Sequence, residues 1–293
     1  MPLSDYTVSY GGFRIRVHDV RGEHALPRVS LQAPIAKYIV ANDAPADLDL
    51  TIETLETEPP AHGRLLFDSG GVWRIFDEGD SYRLECSVYG ELYKIAYLSK
   101  ELTDGVVRMA PLDITIPYPL DFPLDEVILN LLLPRHGAVE LHACGLVDRN
   151  GNGYLFAGNS GAGKTTTARL WEHDVAEILS DDRIVVRPEN GGWRMYGTPW
   201  HGEAEICSPS SASLHRIFML EQATFNGLRP LSPAAAVARL LSCTFPPFHD
   251  AGGLGAIADT LAAIAAGVPV TRLSFANDHS AVEFIRETLE VAA

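Results

Sequence analysis

The chain has very little lysine. Only four of its 293 residues are lysine, and lysine and arginine together give 23 basic side chains against 38 acidic ones, a net charge of −15. No run of basic residues is present. Binding to a nucleic-acid backbone or to an anionic membrane requires clustered Lys and Arg, so the composition argues against both kinds of partner. A small positive pocket around a nucleotide is compatible with it.

Cysteine is also scarce, and its spacing does not suggest metal or redox chemistry. The four cysteines are Cys86, Cys144, Cys207 and Cys243, and no two of them form a Cys-x-x-Cys pair. Neither a zinc knuckle nor a dithiol redox site is therefore predicted. Scattered cysteines are typical of a reducing compartment, where they pack as small apolar groups.

Long apolar runs are missing as well. Residues 1–17 contain no apolar core of the signal-peptide type. The most apolar stretch, residues 254–270, is interrupted by Asp259 and Pro269, which favours a helix of a water-soluble domain over a membrane span. Together with the cysteine pattern, this predicts a cytoplasmic protein without a membrane partner.

What the sequence does contain is a phosphate-binding (Walker A) pattern, Gly-x-x-x-x-Gly-Lys-Thr, at residues 158–165. An apolar run precedes it and a helix-compatible run at 164–173 follows it, which is the strand–loop–helix setting that this pattern requires. The glycines let backbone N–H groups point inward and form an anion site at the N-terminus of the helix. Lys164 is expected to contact the β- and γ-phosphates of a nucleotide, and the Thr165 hydroxyl to bind Mg²⁺.

The predicted nucleotide contacts cover the whole loop and the start of the helix. They are Gly158, Asn159, Ser160, Gly161, Ala162, Gly163, Lys164, Thr165 and Thr166. The alternative interpretation is a glycine-rich turn before a surface helix. The flanking runs and the position of Lys164, the only lysine after Lys100, favour the nucleotide site.

Turn signals and prolines divide the chain into two predicted domains. Residues 1–120 contain short, partly alternating apolar runs between Gly- and Asp-rich turns, a pattern typical of β-strands. A proline-punctuated linker covers residues 118–125, and strand-like and helix-like runs alternate after it. We expect a β-rich N-terminal domain at 1–120, acting as a packing module or in substrate recognition, and an α/β nucleotide-binding domain at 121–293.

A histidine is expected near the mouth of the loop. Asn150-Gly151 is a strong signal for a two-residue type I′ turn between the runs at 139–147 and 153–157. With that turn, paired positions sum to 301 and His142 lies opposite residue 159. A lone histidine on an apolar strand is more often a hydrogen-bonded core residue, so a structural and a catalytic role both remain open.

Two adjacent carboxylates follow the loop at short spacing. After the helix, the run at 175–180 is predicted to return as a strand of similar length, which places Asp181 and Asp182 at the carboxyl edge of the sheet. Ligands bind at that edge in open α/β sheets. One carboxylate can hold Mg²⁺, and the other can accept a proton from an attacking hydroxyl or orient a water molecule. The alternative is an acidic turn at a strand end.

Glu203 is a further candidate metal ligand. It lies in the loop at 197–205, which contains two Gly, two Glu, one Trp and one His. The alternative is a solvated acidic loop, and the sequence favours neither interpretation.

Three segments together resemble the catalytic domain of the HPr kinase/phosphorylase family. They are Leu141-His142-Ala143, the loop at 158–165, and the run Leu179-Ser-Asp-Asp-Arg-Ile-Val-Val186. The resemblance is clear over residues 136–190 and weaker up to residue 285. That family shares its P-loop fold, which has a mixed sheet, with ATP-dependent phosphoenolpyruvate carboxykinase. The resemblance therefore implies that fold for residues 121–293.

The resemblance also implies roles for individual side chains. Lys164 would bind the nucleotide phosphates, Thr165 would hold the metal, and Asp182 would accept the proton. Asp181 lies next to Asp182 and is the carboxylate that we predict as a second metal ligand. His142 matches the active-site histidine of the family.

The loop at 197–205 has one further implied role and one departure from the family. Glu203 is the choice for the later metal carboxylate of the family. A Glu-Ile-Arg-Gly-Leu-Gly-type segment, which the family associates with its HPr-facing side, has no counterpart here, and residues 197–203 stand in its place. This argues against HPr as the acceptor.

The sequence therefore predicts a divergent kinase that transfers a phosphoryl group from Mg-ATP to a hydroxyl of a protein, a peptide or a small molecule. The alternative is a nucleotide-binding regulatory module or a slow ATPase without a phosphoacceptor. Both bind ATP and Mg²⁺, but only the kinase has an acceptor that becomes phosphorylated. The identity of the acceptor and the oligomeric state, a homo-oligomer included, are left open.

Overall fold

A computed structural model describes residues 5–20, 34–57, 59–110, 119–247 and 249–291. Within these ranges the protein is mixed α/β, with two large mixed sheets and five α-helices, and strands predominate. None of the described helices is long and apolar enough to cross a membrane. Residues 1–4, in the segment searched for a signal peptide, and Tyr118, the first residue of the predicted linker, lie outside the described ranges.

The chain forms two compact units. The first comprises Met1–Ser9, Phe13–Leu132 and Pro247–Ala251, and the second comprises Tyr10–Gly12, Leu133–Pro246 and Gly252–Ala293. The division after Leu132 falls inside the first helix. The boundary at residue 120 stays a prediction.

Nine described strands form the first sheet, in the order β3-β1-β2-β4-β9-β8-β7-β6-β5. They are β1 (Asp5–Tyr10), β2 (Phe13–Asp19), β3 (Ile39–Val40), β4 (Leu48–Thr54), β5 (Arg64–Asp68), β6 (Trp73–Asp77), β7 (Ser81–Val88), β8 (Glu91–Ser99) and β9 (Asp104–Met109). A 3₁₀ helix, Pro34–Tyr38, precedes β3. Strands β2, β4 and β9 pair in parallel, and β9 to β5 form an antiparallel meander.

Alternation of side chains explains why these segments form strands. In β2, Phe13, Ile15 and Val17 are buried, while the basic residues between them are partly exposed. Successive side chains of a strand point to opposite faces, so this pattern places one apolar face on the core. The predicted β-rich character of this region is observed, although the sequence did not predict β5, whose residues are largely exposed at the sheet edge.

The second sheet contains β10 to β17. Helix α1 precedes it in the chain, α2 to α4 lie between its strands, and α5 follows the last strand. The elements are α1 (Leu124–Arg135), β10 (Val139–Val147), β11 (Asn152–Ala157), α2 (Lys164–Trp171), β12 (Glu177–Ser180), β13 (Arg183–Glu189), β14 (Gly192–Gly197), β15 (Ser211–Gln222), β16 (Gly227–Pro230), α3 (Pro233–Leu241), α4 (Ala251–Gly267), β17 (Val270–Phe275) and α5 (Ser280–Val291). The strand order is β11-β10-β13-β14-β15-β17-β16, β12 pairs with β10, and β11 also pairs with β15 in parallel.

The second sheet is buried on both faces. One cluster joins alternate strand residues to Leu240 of α3 and Leu261 of α4. The other joins the intervening strand residues to Trp171 of α2 and Ile285 of α5. Because both faces are covered, the central residues of β10, β11 and β15 are buried almost without interruption, as expected for the centre of an α/β layer structure.

The hairpin before the glycine-rich loop differs from its prediction by one residue. Val147 pairs with Gly153 and Ala143 with Ala157, so paired positions sum to 300 and not to 301. The turn has three residues, and Gly151 has φ of 85°, the arrangement of a type I turn closed by a left-handed residue. His142 is therefore opposite Gly158, whose N–H donates to the His142 carbonyl at 3.4 Å.

Helix α1 contains a proline near its C-terminus. The helix includes Pro134 and ends at Arg135, because a proline in the last turn removes few helical hydrogen bonds. Gly137 has φ of 58°, and the Ala138 N–H donates to the Leu133 carbonyl at 2.9 Å. This is a Schellman ending, in which a left-handed glycine stops the helix.

Candidate functional site

The glycine-rich loop, residues 158–165, links β11 to α2 as the sequence predicts, and its last two residues form the start of α2. Gly161 and Gly163 have φ values of 80° and 106°, in the region that glycine adopts without strain. At Gly163 a Cβ atom would also lie 2.5 Å from Phe275 Cζ. The path of the loop at the start of α2 therefore depends on glycine.

Lys164 is the first residue of α2 and is only 6% exposed. Its Nζ donates to the carbonyl oxygens of Gly158 (3.0 Å) and Asn159 (3.2 Å), so the ammonium lies within the curl of the loop. Burial lowers the pKa of Lys164, and the nearby carboxylate of Asp182 opposes that change. A buried cation in a loop of this kind is suited to an anionic ligand such as a polyphosphate.

The other predicted loop contacts occupy different depths. Gly158 is buried, Ala162 and Thr166 are half-buried, and Asn159 and Ser160 are exposed. The outer part of the loop is therefore accessible, whereas its two ends are fixed by packing.

Asp181 follows β12 and is fully buried. Its carboxylate accepts hydrogen bonds from the backbone N–H groups of Gly202 (2.9 Å) and Ala204 (3.0 Å). The Thr165 hydroxyl lies 3.4 Å from Asp181 Oδ2. The structure thus brings together two of the three predicted metal ligands, and both offer the hard oxygen atoms that Mg²⁺ prefers.

Glu203, the third predicted metal ligand, is placed differently. Glu203 lies between Gly202 and Ala204, whose backbone N–H groups bond to Asp181, but its own side chain is exposed. Among the described residues, no three His, Cys, Asp or Glu side chains converge as a metal-holding group. The backbone at Glu203 therefore lies close to Asp181, but the Glu203 side chain does not belong to a preformed metal-binding cluster.

His142 and Asp182 form a direct pair. His142 Nε2 lies 3.0 Å from Asp182 Oδ1, and the Asp182 carbonyl accepts a hydrogen bond from the Ala143 N–H at 2.8 Å. The hydrogen bond from His142 lowers the pKa of Asp182, against the effect of burial, and the charges of Arg183 and Lys164 act in the same direction. Asp182 is thereby kept ionised near neutral pH.

The sheet topology explains why these side chains meet. Strand β10 lies between β11 and β12 and is antiparallel to both. The carboxyl ends of β11 and β12 therefore share an edge with the first residues of β10. The strand that lies between them, β10, is the one that carries His142.

Sequence reasoning gave no role to Arg183, which contacts Asp182, or to the two aromatic residues that pack on Arg183. Arg183 Nε lies 3.5 Å from Asp182 Oδ2. The Arg183 guanidinium carbon is 4.2 Å from the ring centre of Phe245 and 5.6 Å from that of Trp200, within the range of cation–π attraction. Phe245 and Trp200 come from distant loops, so no local pattern could have indicated this packing.

No protein-family model matches the chain, and no curated protein matches it.

Proposed function

We propose that the second unit is an ATP-dependent phosphotransferase that acts on a hydroxyl group. The observation that carries this proposal is the position of Asp182, an ionised carboxylate paired with His142 and close enough to Lys164 for their charges to interact. A phosphate-binding loop by itself accounts for nucleotide binding but not for transfer of the phosphoryl group. A paired carboxylate beside it adds the group that phosphoryl transfer to an alcohol requires. The resemblance to HPr kinase/phosphorylase supports the same activity.

The residues of the site suit a nucleotide and Mg²⁺. The loop N–H groups and Lys164 would hold the β- and γ-phosphates, and Thr165 and Asp181 would hold the metal. Bound Mg²⁺ supplies neutralisation of phosphate charge. Asp181 has a second task in the protein itself, because its two backbone hydrogen bonds hold the segment at 202–204 in place.

The chemistry assigned to Asp182 is acceptance of a proton. The acceptor hydroxyl oxygen attacks the γ-phosphorus, the bond from that phosphorus to the β–γ bridging oxygen breaks, and ADP leaves with the electron pair. The hydroxyl proton passes to the Asp182 carboxylate. The hydrogen bond from His142 to Oδ1 and the approach of Arg183 to Oδ2 fix the orientation of this carboxylate. The acceptor is a protein, a peptide or a small molecule.

Asp182→Asn tests this assignment because it keeps the size of the side chain and removes its basicity. Mg-ATP affinity, measured by calorimetry, is expected to stay within several-fold of wild type. Transfer from γ-labelled ATP to a library of serine-containing peptides and small alcohols is expected to fall by about 10²–10⁴-fold, the usual contribution of a general base.

Asp181→Asn is the matched comparison at the next position. In this variant the nucleotide affinity is expected to depend less on the magnesium concentration. The reason is that Asp181 and Thr165, whose side chains are 3.4 Å apart, are the residues that would hold the metal. Loss of nucleotide binding in Asp182→Asn would instead make Asp182 a metal ligand. If the wild type binds Mg-ATP but labels no hydroxyl, the regulatory-module interpretation replaces the kinase.

A further inference from the structure

An aromatic side chain, Phe245, lies against the two residues that approach the Asp182 carboxylate. The Arg183 guanidinium carbon is 4.2 Å from the centre of its ring, and the centre of the His142 ring is 5.8 Å from it. His142 approaches Oδ1 of the carboxylate, and Arg183 approaches Oδ2. Phe245 thus contacts both side chains that hold the assigned proton acceptor.

Strand pairing explains how Phe245 reaches this position. His142 of β10 and Arg183 of β13 are directly opposite each other in an antiparallel pair, so their side chains share one face of the sheet. The segment that follows α3 pairs with β10 as well. The His142 N–H donates to the Cys243 carbonyl at 2.7 Å, and Thr244 forms a β-bridge with β10. These contacts fix the backbone immediately before Phe245 next to His142.

The guanidinium of Arg183 lies between two carboxylates at nearly equal distances. Its Nε is 3.5 Å from Asp182 Oδ2, and its Nη1 is 3.6 Å from Glu140 Oε1. A charge-assisted hydrogen bond between arginine and a carboxylate is about 2.7–2.9 Å long. Both separations are longer than this, so neither of them fixes the plane of the guanidinium.

Stacking on an aromatic ring does restrict that plane. A guanidinium over a ring face is attracted within about 6 Å of the ring centre, and the attraction is stronger where water is excluded. The side chain of Arg183 is 19% exposed and that of Glu140 is 2% exposed, and Phe245 is half-buried. The ring of Phe245, at 4.2 Å, is closer to the guanidinium than that of Trp200, at 5.6 Å. Phe245 is therefore the stronger of the two aromatic contacts.

We propose that Phe245 is a positioning residue for the phosphoryl transfer. Its ring holds the Arg183 guanidinium between Asp182 and Glu140, so that Asp182 is oriented without being closed into a direct ion pair. Without the ring, the guanidinium is free to turn toward either carboxylate, and the orientation of Asp182 changes with it. Transfer requires a fixed geometry of the reacting groups. The proposal rests on the proton acceptance assigned to Asp182 under the proposed function.

Three variants separate the ring from general packing. Phe245→Leu keeps an apolar side chain and removes the ring, whereas Phe245→Tyr keeps the ring. Phe284→Leu is the matched control, because Phe284 is another half-buried phenylalanine of the second unit and packs on the cluster that contains Trp171.

The first measurement needs neither nucleotide nor activity. In the full chain labelled with ¹⁵N-arginine, the Nε–H signal of Arg183 is identified by its loss in Arg183→Gln. A proton above a ring face is shifted upfield, so Phe245→Leu is expected to move this signal downfield. Phe245→Tyr and Phe284→Leu are expected to leave it in place. An unmoved signal in Phe245→Leu, or the same movement in Phe284→Leu, would overturn the proposal.

The second measurement is transfer from γ-labelled ATP to the library of serine-containing peptides and small alcohols. Phe245→Leu is expected to lower kcat about tenfold and to leave Mg-ATP affinity within about twofold. Phe245→Tyr and Phe284→Leu are expected to keep kcat within about threefold of wild type. Because Phe245 acts through Arg183, its replacement in an Arg183→Gln background is expected to lower kcat by less than about twofold.

Two results of the transfer measurement would reject the positioning role. One is an equal loss of kcat in both backgrounds, and the other is a loss of Mg-ATP affinity with kcat unchanged. Absence of labelling by the wild type would reject the phosphotransferase and with it the role in transfer. The arginine signal decides separately whether the ring holds Arg183, so failure of the contact and failure of the proposed function are distinguished.

Discussion

Each unit of the protein buries one lysine, and the two lysines are bonded alike. Lys94 in the first unit is fully buried and donates to the carbonyl oxygens of Pro119 (2.9 Å) and Asp121 (3.2 Å). Lys164 in the second unit is 6% exposed and also donates to two carbonyl oxygens. Burial lowers the pKa of both. The immediate contacts of a buried lysine therefore do not distinguish a structural role from a ligand-binding one.

What distinguishes them is the backbone that supplies the carbonyl groups. Lys94 bonds to a proline-rich segment outside any helix. Lys164 begins a helix, and its partners belong to a glycine-rich loop that ends at the positive end of that helix. A loop of this shape also presents N–H groups, and an anion can replace the carbonyl partners of the ammonium. The difference in expected function therefore comes from helix polarity and loop shape.

The largest expected difference is in nucleotide binding. Lys164→Met is expected to remove most of the stabilisation by Mg-ATP, which amounts to about 2.7 kcal/mol at a hundredfold excess over Kd. Lys94→Met is expected to leave that stabilisation intact, because every predicted phosphate contact lies in the second unit. Thermal unfolding with and without Mg-ATP measures both. Equal shifts in wild type and Lys164→Met would place the nucleotide elsewhere.

In the absence of ligand, the Lys94 variant is expected to lose more stability than the Lys164 variant, which reverses the order expected for nucleotide binding. Lys94→Met leaves the buried Pro119 carbonyl without this donor, whereas the Asp121 carbonyl keeps the Leu124 N–H at 3.1 Å. The substitution should lower the free energy of unfolding by about 1–3 kcal/mol. Lys164→Met should have a smaller effect, since its partners belong to a loop with exposed residues. Denaturant titration of the ligand-free variants makes the comparison. An unchanged or higher stability of Lys94→Met would mean that desolvation of the ammonium outweighs its hydrogen bonds.

The smallest expected effect is a dependence on alkaline pH that both lysines share. Their pKa values lie below 10.5 in the folded protein, so the unfolded chain binds more protons between the folded pKa and 10.5. Stability contributed by each lysine should therefore rise with pH across that interval and fall as pH drops through the folded pKa. The difference in unfolding free energy between wild type and each Met variant isolates this contribution from other groups. A difference that is constant with pH would contradict the lowered pKa values.

Much of the local structure could be predicted from the sequence. The glycine-rich loop has the predicted strand and helix on either side. These features depend on short-range properties, namely apolar periodicity and the conformational freedom of glycine. The hairpin register was wrong because Asn150-Gly151 is compatible with both a two-residue and a three-residue turn, and only the pairing of the strands selects between them.

The sequence by itself determined the parts of the candidate site that are close in the chain. Gly158 to Thr165 form one local unit, and the short spacing from Lys164 to Asp181 and Asp182 allows one helix and one returning strand. These distances limit where the carboxylates can lie, whatever the rest of the fold.

Only the tertiary structure decided which side chains surround those carboxylates. His142 reaches Asp182 because β10 is inserted between β11 and β12, and Phe245 reaches Arg183 from a loop 62 positions further along the chain. Contacts between distant segments depend on strand order and packing of the whole sheet, which no local pattern encodes.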